Sequence, residues 1–322
     1  MSLYEKVIVV TRQTALEELS ERLGTKAQAR FYLKQEAARV ADAAVAPSYD
    51  EYESADAAYR RAMERVRAAL PRTVRAQYVD SAFLPQFTFG ERDVVLVLGP
   101  DGLVVNAAKY LSGQPVVAVN PDPARVEGVL LPFRPEQTGD ALARVLAGVA
   151  AVRRLTMAEA RLADGQTLLA VNDLFVGRRT HASARYRLRF GDVSEEQSSS
   201  GVIVSTGTGS TGWLRSVVAG AAGLVAALGG DPGDLLVPDA RRFDPEADEL
   251  VFSVREPWAS RTTGAGLAHG CIGPGVCLEV VSQMPADGVI FSDGVESDYL
   301  TFSGGAVARI GLSEKKVSLV VA

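Results

Sequence analysis

Cysteine and histidine are scarce in this sequence, with two of each among 322 residues. Cys271 and Cys277 are too few for the disulfide framework of a small secreted domain. Neither His181 nor His269 lies at metal-ligand spacing from other ligating side chains. The sequence therefore predicts no protein-bound metal site, and both cysteines are interpreted as thiols in a reducing compartment.

Excess positive charge and long apolar runs are also lacking. The 34 lysines and arginines are outnumbered by 39 acidic residues, which argues against nucleic-acid binding because duplex binders need a basic face. The longest apolar stretch, residues 217–228, is too short and too rich in glycine and alanine to cross a bilayer. Residues 1–11 lack the basic leader of a signal peptide and are interpreted as a first strand. We expect a soluble, cytoplasmic protein with no nucleic-acid or membrane partner.

What is present is the composition of a globular protein, with 47% hydrophobic and 23% charged residues. A chain of 322 residues favours two domains, and we place them at residues 1–150 and 151–322. The first half alternates strands with helices, which predicts a parallel sheet. Its predicted strands are 6–11, 77–83, 93–98 and 114–120; its predicted helices are 14–70 with an interruption near Pro47, 103–111 and 137–154. The strands at 93–98 and 114–120 are apolar on both faces, as expected of strands covered by helices on both sides.

The second half contains short segments with frequent turns, which favours an antiparallel β-sandwich. The predicted strands are 167–176, 184–190, 201–206, 250–254, 276–281, 289–292, 299–302 and 317–321. A helix at 213–228 interrupts them. The Ser/Glu-rich residues 193–200 are interpreted as a hairpin loop.

The first motif, LGPDGL at residues 98–103, follows a predicted buried strand. It places the carboxylate of Asp101 between Gly99 and Gly102, and glycines allow a phosphate-bearing ligand to approach the backbone closely. Pro-Asp-Gly is also a favoured β-turn sequence that needs no ligand. Both interpretations remain open on this motif alone.

The second motif, STGTGSTG at residues 205–212, lies between a strand and a helix, where helix N-termini stabilise anions. Residues 207–212 also match the G-x-G-x-x-G fingerprint of a Rossmann dehydrogenase. The preceding strands lack intervening helices and a Pro/Asp/Gly-rich loop follows, so this context fits the dehydrogenase poorly. No lysine follows the last glycine, which excludes a Walker A loop. A solvated Thr/Gly loop is the remaining alternative.

The third motif places two polar side chains, Asn172 and Asp173, inside the apolar run 170–175. Burying them costs free energy unless each finds a partner. An asparagine amide suits a base or ribose, and an aspartate accepts hydrogen bonds from hydroxyl groups. A strand-edge turn capped by these side chains is the structural alternative.

Taken together and in this order, the three motifs resemble the NAD kinase family. The similarity is greatest to the mitochondrial type and its bacterial relatives, through residues 119–128, 172–177, 183–185, 206–210 and 253–257. It covers about residues 93–293. The resemblance implies an α/β N-terminal domain with a parallel sheet followed by an antiparallel β-sandwich, the architecture shared with diacylglycerol kinases.

The resemblance also implies an activity, the transfer of the γ-phosphoryl group of ATP, with Mg²⁺, to the 2′-hydroxyl of the adenosine ribose of NAD. NADH is a second candidate acceptor, and a homodimer is the implied assembly. Asp101 matches the family's catalytic base. The residues assigned to nucleotide binding are Gly99, Gly102, Asn120, Asp122, Asn172, Asp173, Arg185, Thr206, Gly207, Thr208, Gly209 and Ser210.

Two residues depart from the family's Gly-Gly-Asp-Gly-Thr loop. Pro100 replaces the second glycine and removes a backbone N–H, and Leu103 replaces the threonine and removes a hydroxyl group. These changes motivate an alternative, a catalytically impaired protein that binds NAD or NADP and has a regulatory role. A lipid kinase of the diacylglycerol type is less favoured, because it does not account for Asn172 and Asp173 together with residues 206–210.

Overall fold

The computed structural model describes residues 3–40, 48–231, 233 and 242–322. The chain forms two compact units, Met1–Val152 with Ser318–Ala322 and Arg153–Val317. The predicted helix interruption near Pro47 and most of the Pro/Asp/Gly-rich loop after residue 228 lie outside the described residues. The last five residues belong to the first unit, which the sequence does not indicate.

A parallel sheet forms the centre of the first unit, as predicted. Its strands run in the order β2-β1-β3-β4. The end of β16 extends the sheet through parallel pairing of Ser318 and Leu319 with β4. Every residue of β3 and β4 is buried, in agreement with strands that are apolar on both faces. The strands are β1 (Lys6–Thr11), β2 (Arg75–Asp80), β3 (Asp93–Leu98), β4 (Pro115–Val119) and the last residues of β16 (Val307–Val320).

Five helices of the first unit are described: α1 (Ala15–Leu23), α2 (Lys26–Arg39), α3 (Tyr49–Ala69), α4 (Asp101–Ala108) and α5 (Thr138–Leu146). Apolar side chains of α3 and α5 pack with those of the sheet in one core. The predicted helix 137–154 is wrong at its end, because Gly148 adopts a φ of 71° and a strand begins at Val152. The predicted strand 77–83 ends at Asp80, whose side chain accepts the N–H of Ala82 and starts the 3-10 helix Ser81–Gln86.

The second unit is a sandwich of two antiparallel sheets, as predicted. One sheet has the order β12-β11-β10-β7-β14-β15, and the other contains β16-β13-β8-β9, with β5 and β6 attached through β16. Side chains from both sheets share one core that includes Leu174, Tyr186 and Phe252. The strands are β5 (Val152–Leu162), β6 (Thr167–Ala170), β7 (Asp173–Arg178), β8 (Ala184–Phe190), β9 (Val193–Ser199), β10 (Val202–Ser205), β11 (Leu250–Val254), β12 (His269–Ile272), β13 (Leu278–Ser282), β14 (Gly288–Ser292) and β15 (Val295–Thr301).

Two predictions for the second unit need correction. Residues 193–199 form strand β9 along the whole of β8, because the polar side chains that suggest a loop find partners there. Gln197 donates to the Leu267 carbonyl at 2.9 Å, and the hydroxyl groups of Ser199 and Tyr186 lie 2.6 Å apart. The predicted strand 167–176 is interrupted at Val171 and Asn172.

The predicted helix after residue 212 is confirmed as α6 (Trp213–Ala227). Among the described residues, no helix is both long and apolar enough to span a membrane.

Candidate functional site

The loop between β3 and α4 carries Asp101 in the first unit. Asp101 is the first residue of α4, is half-buried, and accepts the N–H of Leu130 through Oδ1 at 2.7 Å. A side chain at Gly99 would place its Cβ 2.6 Å from Leu103, which is buried beneath the loop. A Cβ at Gly102 would meet nothing within 4 Å. The backbone therefore orients the Asp101 carboxylate, and the loop is open on the side of Gly102.

This loop lies where the strand order of the parallel sheet reverses, between β1 and β3. Ligands of open α/β sheets bind outside the carboxyl ends of strands at such a reversal. A cavity of about 670 Å³ occurs there, lined by residues that include Arg12, Tyr59, Pro100, Asp122 and Arg125. The lining carries the guanidinium groups of Arg12 and Arg125 together with the carboxylates of Glu51, Asp56 and Asp122.

The loop after β4 contains the predicted site residues Asn120 and Asp122. Asn120 is buried; its amide donates to the Val126 carbonyl at 2.8 Å and accepts the N–H of Asp122 at 3.0 Å. The Asp122 carboxylate pairs with Arg125 at 2.6 Å. Both side chains thus organise their own loop, and contact of either with a nucleotide stays a prediction.

The Asn172-Asp173 turn of the second unit is held by Asp293, a residue that the sequence does not single out. Asp293 accepts the backbone N–H of Val171 at 3.1 Å, of Asn172 at 2.7 Å and of Asp173 at 3.3 Å. In return the N–H of Asp293 donates to the Asp173 carbonyl at 2.9 Å. These bonds end β6 and start β7. The available sequence signal was an aspartate followed by Gly294 at the end of an apolar strand, the pattern that also marks Asp101.

The carboxylate of Asp173 is buried beside that of Asp293. Burial, together with the charge of Asp293, raises the pKa of Asp173 to about 7. Within the described residues no hydrogen-bond donor is assigned to the Asp173 carboxylate. A buried carboxylate without a donor is costly, and hydroxyl groups of a ligand would satisfy it.

The STGTGSTG loop packs directly against this turn. The N–H of Thr206 donates to the Asn172 carbonyl at 2.9 Å, and its hydroxyl donates to the Val171 carbonyl. A Cβ at Gly209 would lie 2.1 Å from the Asn172 carbonyl oxygen, so only glycine permits this approach. The structure thus brings the second and third sequence motifs together.

Most polar groups of the same loop are satisfied internally. The Ser210 hydroxyl donates to the Gly207 carbonyl at 2.6 Å, and a Cβ at Gly207 would lie 2.2 Å from the Asp244 carbonyl oxygen. Thr208 is the exception, since it is only 6% exposed and its hydroxyl has no hydrogen-bond partner in the described part of the chain. Among the described residues, this hydroxyl and the Asp173 carboxylate are buried groups of the two motifs with no assigned hydrogen-bond donor or acceptor.

An aromatic pocket of about 350 Å³ lies on the outer face of the six-stranded sheet. Phe175, two residues after Asp173 and therefore on the same face of β7, stacks on Trp213 with centroids 5.6 Å apart. The guanidinium of Arg255 lies 5.4 Å from the Trp213 ring, and that of Arg179 lies 4.1 Å from the Tyr299 ring. The sequence analysis missed this pocket, although period-two alternation along β7 places Phe175 beside Asp173.

Arg185 is the predicted site residue that the second unit does not place with the others. It lies on β8, in the other sheet of the sandwich, between the core residues Ala184 and Tyr186. Its side chain is therefore exposed on the face opposite the core. No group of three or more His, Cys, Asp or Glu side chains among the described residues could hold a metal ion.

Comparisons with known proteins find similarity to NAD kinases. No protein-family model matches the chain. The chain is 27% identical over 288 residues to NAD kinase 2, mitochondrial, of Rattus norvegicus, covering 69% of this chain and 66% of that protein. It is 34% identical over 134 residues to the NAD kinase of Methylococcus capsulatus, covering 39% of this chain and 45% of that protein. The chain thus spans less than two thirds of the length of these curated relatives.

Solved structures show the same fold at lower sequence identity. Yeast NADH kinase complexed with NADH has a TM-score of 0.61 at 13% identity, covering 99% of this chain and 84% of that chain. An NAD kinase from Archaeoglobus fulgidus in complex with ATP has a TM-score of 0.56 at 16% identity, covering 98% and 93%. The chain is thus similar in sequence to curated NAD kinases over part of its length, and it shares the fold of these two solved kinase structures.

Proposed function

We propose that this protein transfers the γ-phosphoryl group of ATP to the 2′-hydroxyl of the adenosine ribose of NAD, forming NADP. The observation that carries the proposal is two buried groups to which no hydrogen-bond partner is assigned among the described residues, the Asp173 carboxylate and the Thr208 hydroxyl, on two loops joined by backbone hydrogen bonds. A protein pays a free-energy cost for such groups, and a polar ligand removes it.

The acceptor dinucleotide is bound by the second unit in this proposal. The Asp173 carboxylate accepts hydrogen bonds from ribose hydroxyl groups, and the Thr208 hydroxyl offers both a donor and an acceptor. The half-buried ring of Trp213, which stacks on the buried Phe175, suits stacking against a base. The guanidinium of Arg255 beside Trp213 suits a phosphate. NADH fits the same description and is a second candidate acceptor.

The donor, ATP with its Mg²⁺, is assigned to the first unit. The cavity at the strand reversal is lined by Arg12 and Arg125, and the carboxylates of Glu51, Asp56 and Asp122 in the same lining would require the Mg²⁺ that accompanies ATP. Phosphoryl transfer passes through a loose transition state, so it requires positioning and charge neutralisation more than covalent participation by the protein. The proposal therefore assigns the metal ion to the substrate phosphates.

Asp101 is proposed as the general base. Its Oδ1 is held by the N–H of Leu130, and no hydrogen bond to Oδ2 is assigned within the described residues. As the 2′-oxygen bonds to the γ-phosphorus, the bond to the β,γ-bridging oxygen breaks, the hydroxyl proton moves to the carboxylate, and ADP leaves.

The structure accounts for the two departures from the family loop. Leu103 is buried against Gly99, and Pro100 takes the cap position of α4 with a φ of −74°. Both residues fit an ordered loop, which supports the active enzyme. The missing N–H and hydroxyl still motivate the alternative, an impaired NAD- or NADP-binding regulator.

One assay separates these alternatives. The protein is incubated with NAD, ATP and Mg²⁺, and NADP is measured; Asp101→Asn should abolish turnover while NAD still raises the melting temperature. Asp140→Asn, an exposed acid of α5, is the matched control and should keep full turnover. Ligand-induced stabilisation without NADP would support the regulator, in which case Pro100→Gly with Leu103→Thr should raise activity. If the protein forms no NADP and NAD does not stabilise it, both proposals are contradicted.

A homodimer in the cytoplasm remains the expectation from the resemblance, and sedimentation velocity checks the assembly.

A further inference from the structure

A tyrosine on α3 links the ends of two neighbouring strands of the parallel sheet, β1 and β3, by hydrogen bonds. The last paired residues of β1 and β3 are Val10 and Val97. One step further along, the hydroxyl of Tyr59 accepts the N–H of Arg12 at 3.1 Å and donates to the Leu98 carbonyl at 3.3 Å. The phenol therefore bridges the two strand ends after their direct pairing has stopped.

These two strand ends border the cavity of the first unit. Arg12 follows β1 directly, and Leu98 directly precedes Gly99, Pro100 and Asp101. The strand order reverses between β1 and β3, so the bridge lies at the position where open sheets bind ligands. A change in the separation of these ends would move the residue that carries the proposed base.

The hydroxyl of Tyr59 is suited to this double bond. Tyr59 is half-buried, and this burial raises the pKa of its hydroxyl above the ordinary value, so it keeps its proton at neutral pH. It can then accept from Arg12 and donate to Leu98 at the same time. Phenylalanine would fill the same space but would leave both backbone groups without this partner.

Helix α3 is itself anchored beside the end of β1. Asp56, one turn before Tyr59, is buried and accepts the hydroxyl of Thr14 at 2.7 Å. Arg60 donates to the same Asp56 carboxylate at 2.9 Å. Helix α3 therefore contacts the chain on both sides of Gln13, through Tyr59 and Asp56. These two contacts fix the position of Tyr59 relative to Leu98.

We propose that Tyr59 is a positioning residue, which sets the location of the Asp101 loop by bridging Arg12 and Leu98. The kinetic test of this inference rests on the proposed phosphoryl transfer. Its structural test does not, because it measures how well the backbone N–H groups of the loop are protected from hydrogen exchange. Because Tyr59 acts through the loop in the first unit, its loss should lower kcat and leave the KM values for NAD and for ATP unchanged; a raised KM for ATP would instead indicate a direct contact, since Tyr59 also lines the cavity.

The test compares three variants on α3. Tyr59→Phe removes the bridging hydroxyl. Tyr49→Phe removes a hydroxyl with no assigned hydrogen bond and keeps the ring that faces Arg30. Val66→Ala makes a small cavity in the core of the same unit and controls for lost stability. Steady-state kinetics is measured with NAD and ATP, and hydrogen exchange is followed in the peptide covering residues 98–105.

For Tyr59→Phe we expect a kcat at least tenfold lower, a KM for NAD within twofold of the wild type, and faster exchange in residues 98–105. Tyr49→Phe and Val66→Ala should keep the wild-type kcat and the wild-type exchange of that peptide. An unchanged kcat in Tyr59→Phe, or an equal loss in Val66→Ala, overturns the inference. If the wild-type protein forms no NADP, the proposed function fails, and the exchange of residues 98–105 alone decides the role of Tyr59.

Discussion

Asp293 accepts the backbone N–H of Asn172 at 2.7 Å across 121 residues of sequence. The same carboxylate also accepts the N–H groups of Val171 and Asp173, so one side chain shapes the turn that presents both predicted polar residues. Asp293 has a φ of 56° because Asp293 and Gly294 form the two-residue hairpin loop between β14 and β15, in which both residues take a positive φ.

Asp293→Asn should therefore weaken NAD binding. The amide retains one acceptor but turns an NH₂ group toward three N–H donors, so the turn loosens. We expect a dissociation constant for NAD about tenfold higher, measured by calorimetry, which corresponds to about 1.4 kcal/mol. Asp164→Asn is the control, because Asp164 also accepts a backbone N–H in an exposed turn of the second unit. Equal affinities of both variants and the wild type would contradict the role of Asp293.

The raised pKa of Asp173 predicts a specific pH dependence of stability. Its pKa is about 7 in the folded protein and 3.8 for an unperturbed side chain, so the folded state binds the proton more tightly. The stabilisation from this proton is complete below pH 4 and is lost as the pH rises through 7. Asp173→Asn removes this loss, so the variant should match the wild type at pH 4 and exceed it at pH 8.

The difference should reach at most about 4 kcal/mol, the equivalent of about three pKa units. Urea unfolding of both proteins between pH 4 and pH 8 measures it, with Asp140→Asn as the control for general loss of charge. A constant difference between Asp173→Asn and the wild type across this range would show that Asp173 titrates normally. At pH 8 the same variant should bind NAD more weakly, because the ribose hydroxyl groups lose their charged acceptor.

Replacing Thr208 should separate stability from binding. Thr208→Val keeps the shape of the side chain but removes a buried hydroxyl without a partner, so the free protein should gain about 1 kcal/mol. The affinity for NAD should fall, and Thr208→Ser should restore it. Thr156→Val is matched to this change, since Thr156 on β5 also has a buried hydroxyl without a partner. It should stabilise the protein without altering NAD binding, and an equal loss of affinity in both variants would argue against a ligand contact at Thr208.

Gly209→Ala should disrupt the contact between the two motifs. The new Cβ would lie 2.1 Å from the Asn172 carbonyl oxygen, so the loop must move. We expect a loss of about 2–3 kcal/mol in unfolding free energy and loss of NAD binding. Gly223→Ala on α6, where a Cβ meets nothing within 4 Å, should instead raise stability by about 0.5–1 kcal/mol. Thermal unfolding with and without NAD measures both effects, and tolerance of alanine at residue 209 would contradict the close approach.

Leu103→Thr tests whether leucine, in place of the threonine of the family loop, stabilises this protein by packing. Leu103 is 6% exposed and fills the space next to Gly99, so threonine leaves a cavity and buries a hydroxyl. We expect a loss of about 2–3 kcal/mol in unfolding free energy. Chemical denaturation of this variant measures the loss, with Val105→Thr on the same helix as the control for burial of a hydroxyl. A Leu103→Thr variant as stable as the wild type would show that the space beside Gly99 is not closely packed.

The parts of the fold that depend on local pattern were predictable. Continuous apolar runs followed by turn residues mark β3 and β4, and helical periodicity marks α6. The polar side chains of β9 resemble those of a loop in sequence, and only in the folded unit do they gain partners such as the Leu267 carbonyl and the Tyr186 hydroxyl. The helix after residue 137 was predicted too long because Gly148 alone is a weak stop signal in an apolar context.

By itself, the sequence determined the fold class, the order of the three motifs and the chemical character of Asp101, Asn172 and Asp173, because these properties belong to residue types and short spacings. Only the tertiary structure decided the partners. It joined Asp293 to Asn172 and Tyr59 to Leu98, and it placed Arg185 on the opposite sheet. It also buried the Thr208 hydroxyl, which has no hydrogen-bond partner among the residues that the structure describes. Hydrogen bonding and desolvation depend on which atoms lie next to one another in the folded protein. Residues far apart in the chain come into contact only when the sheets form.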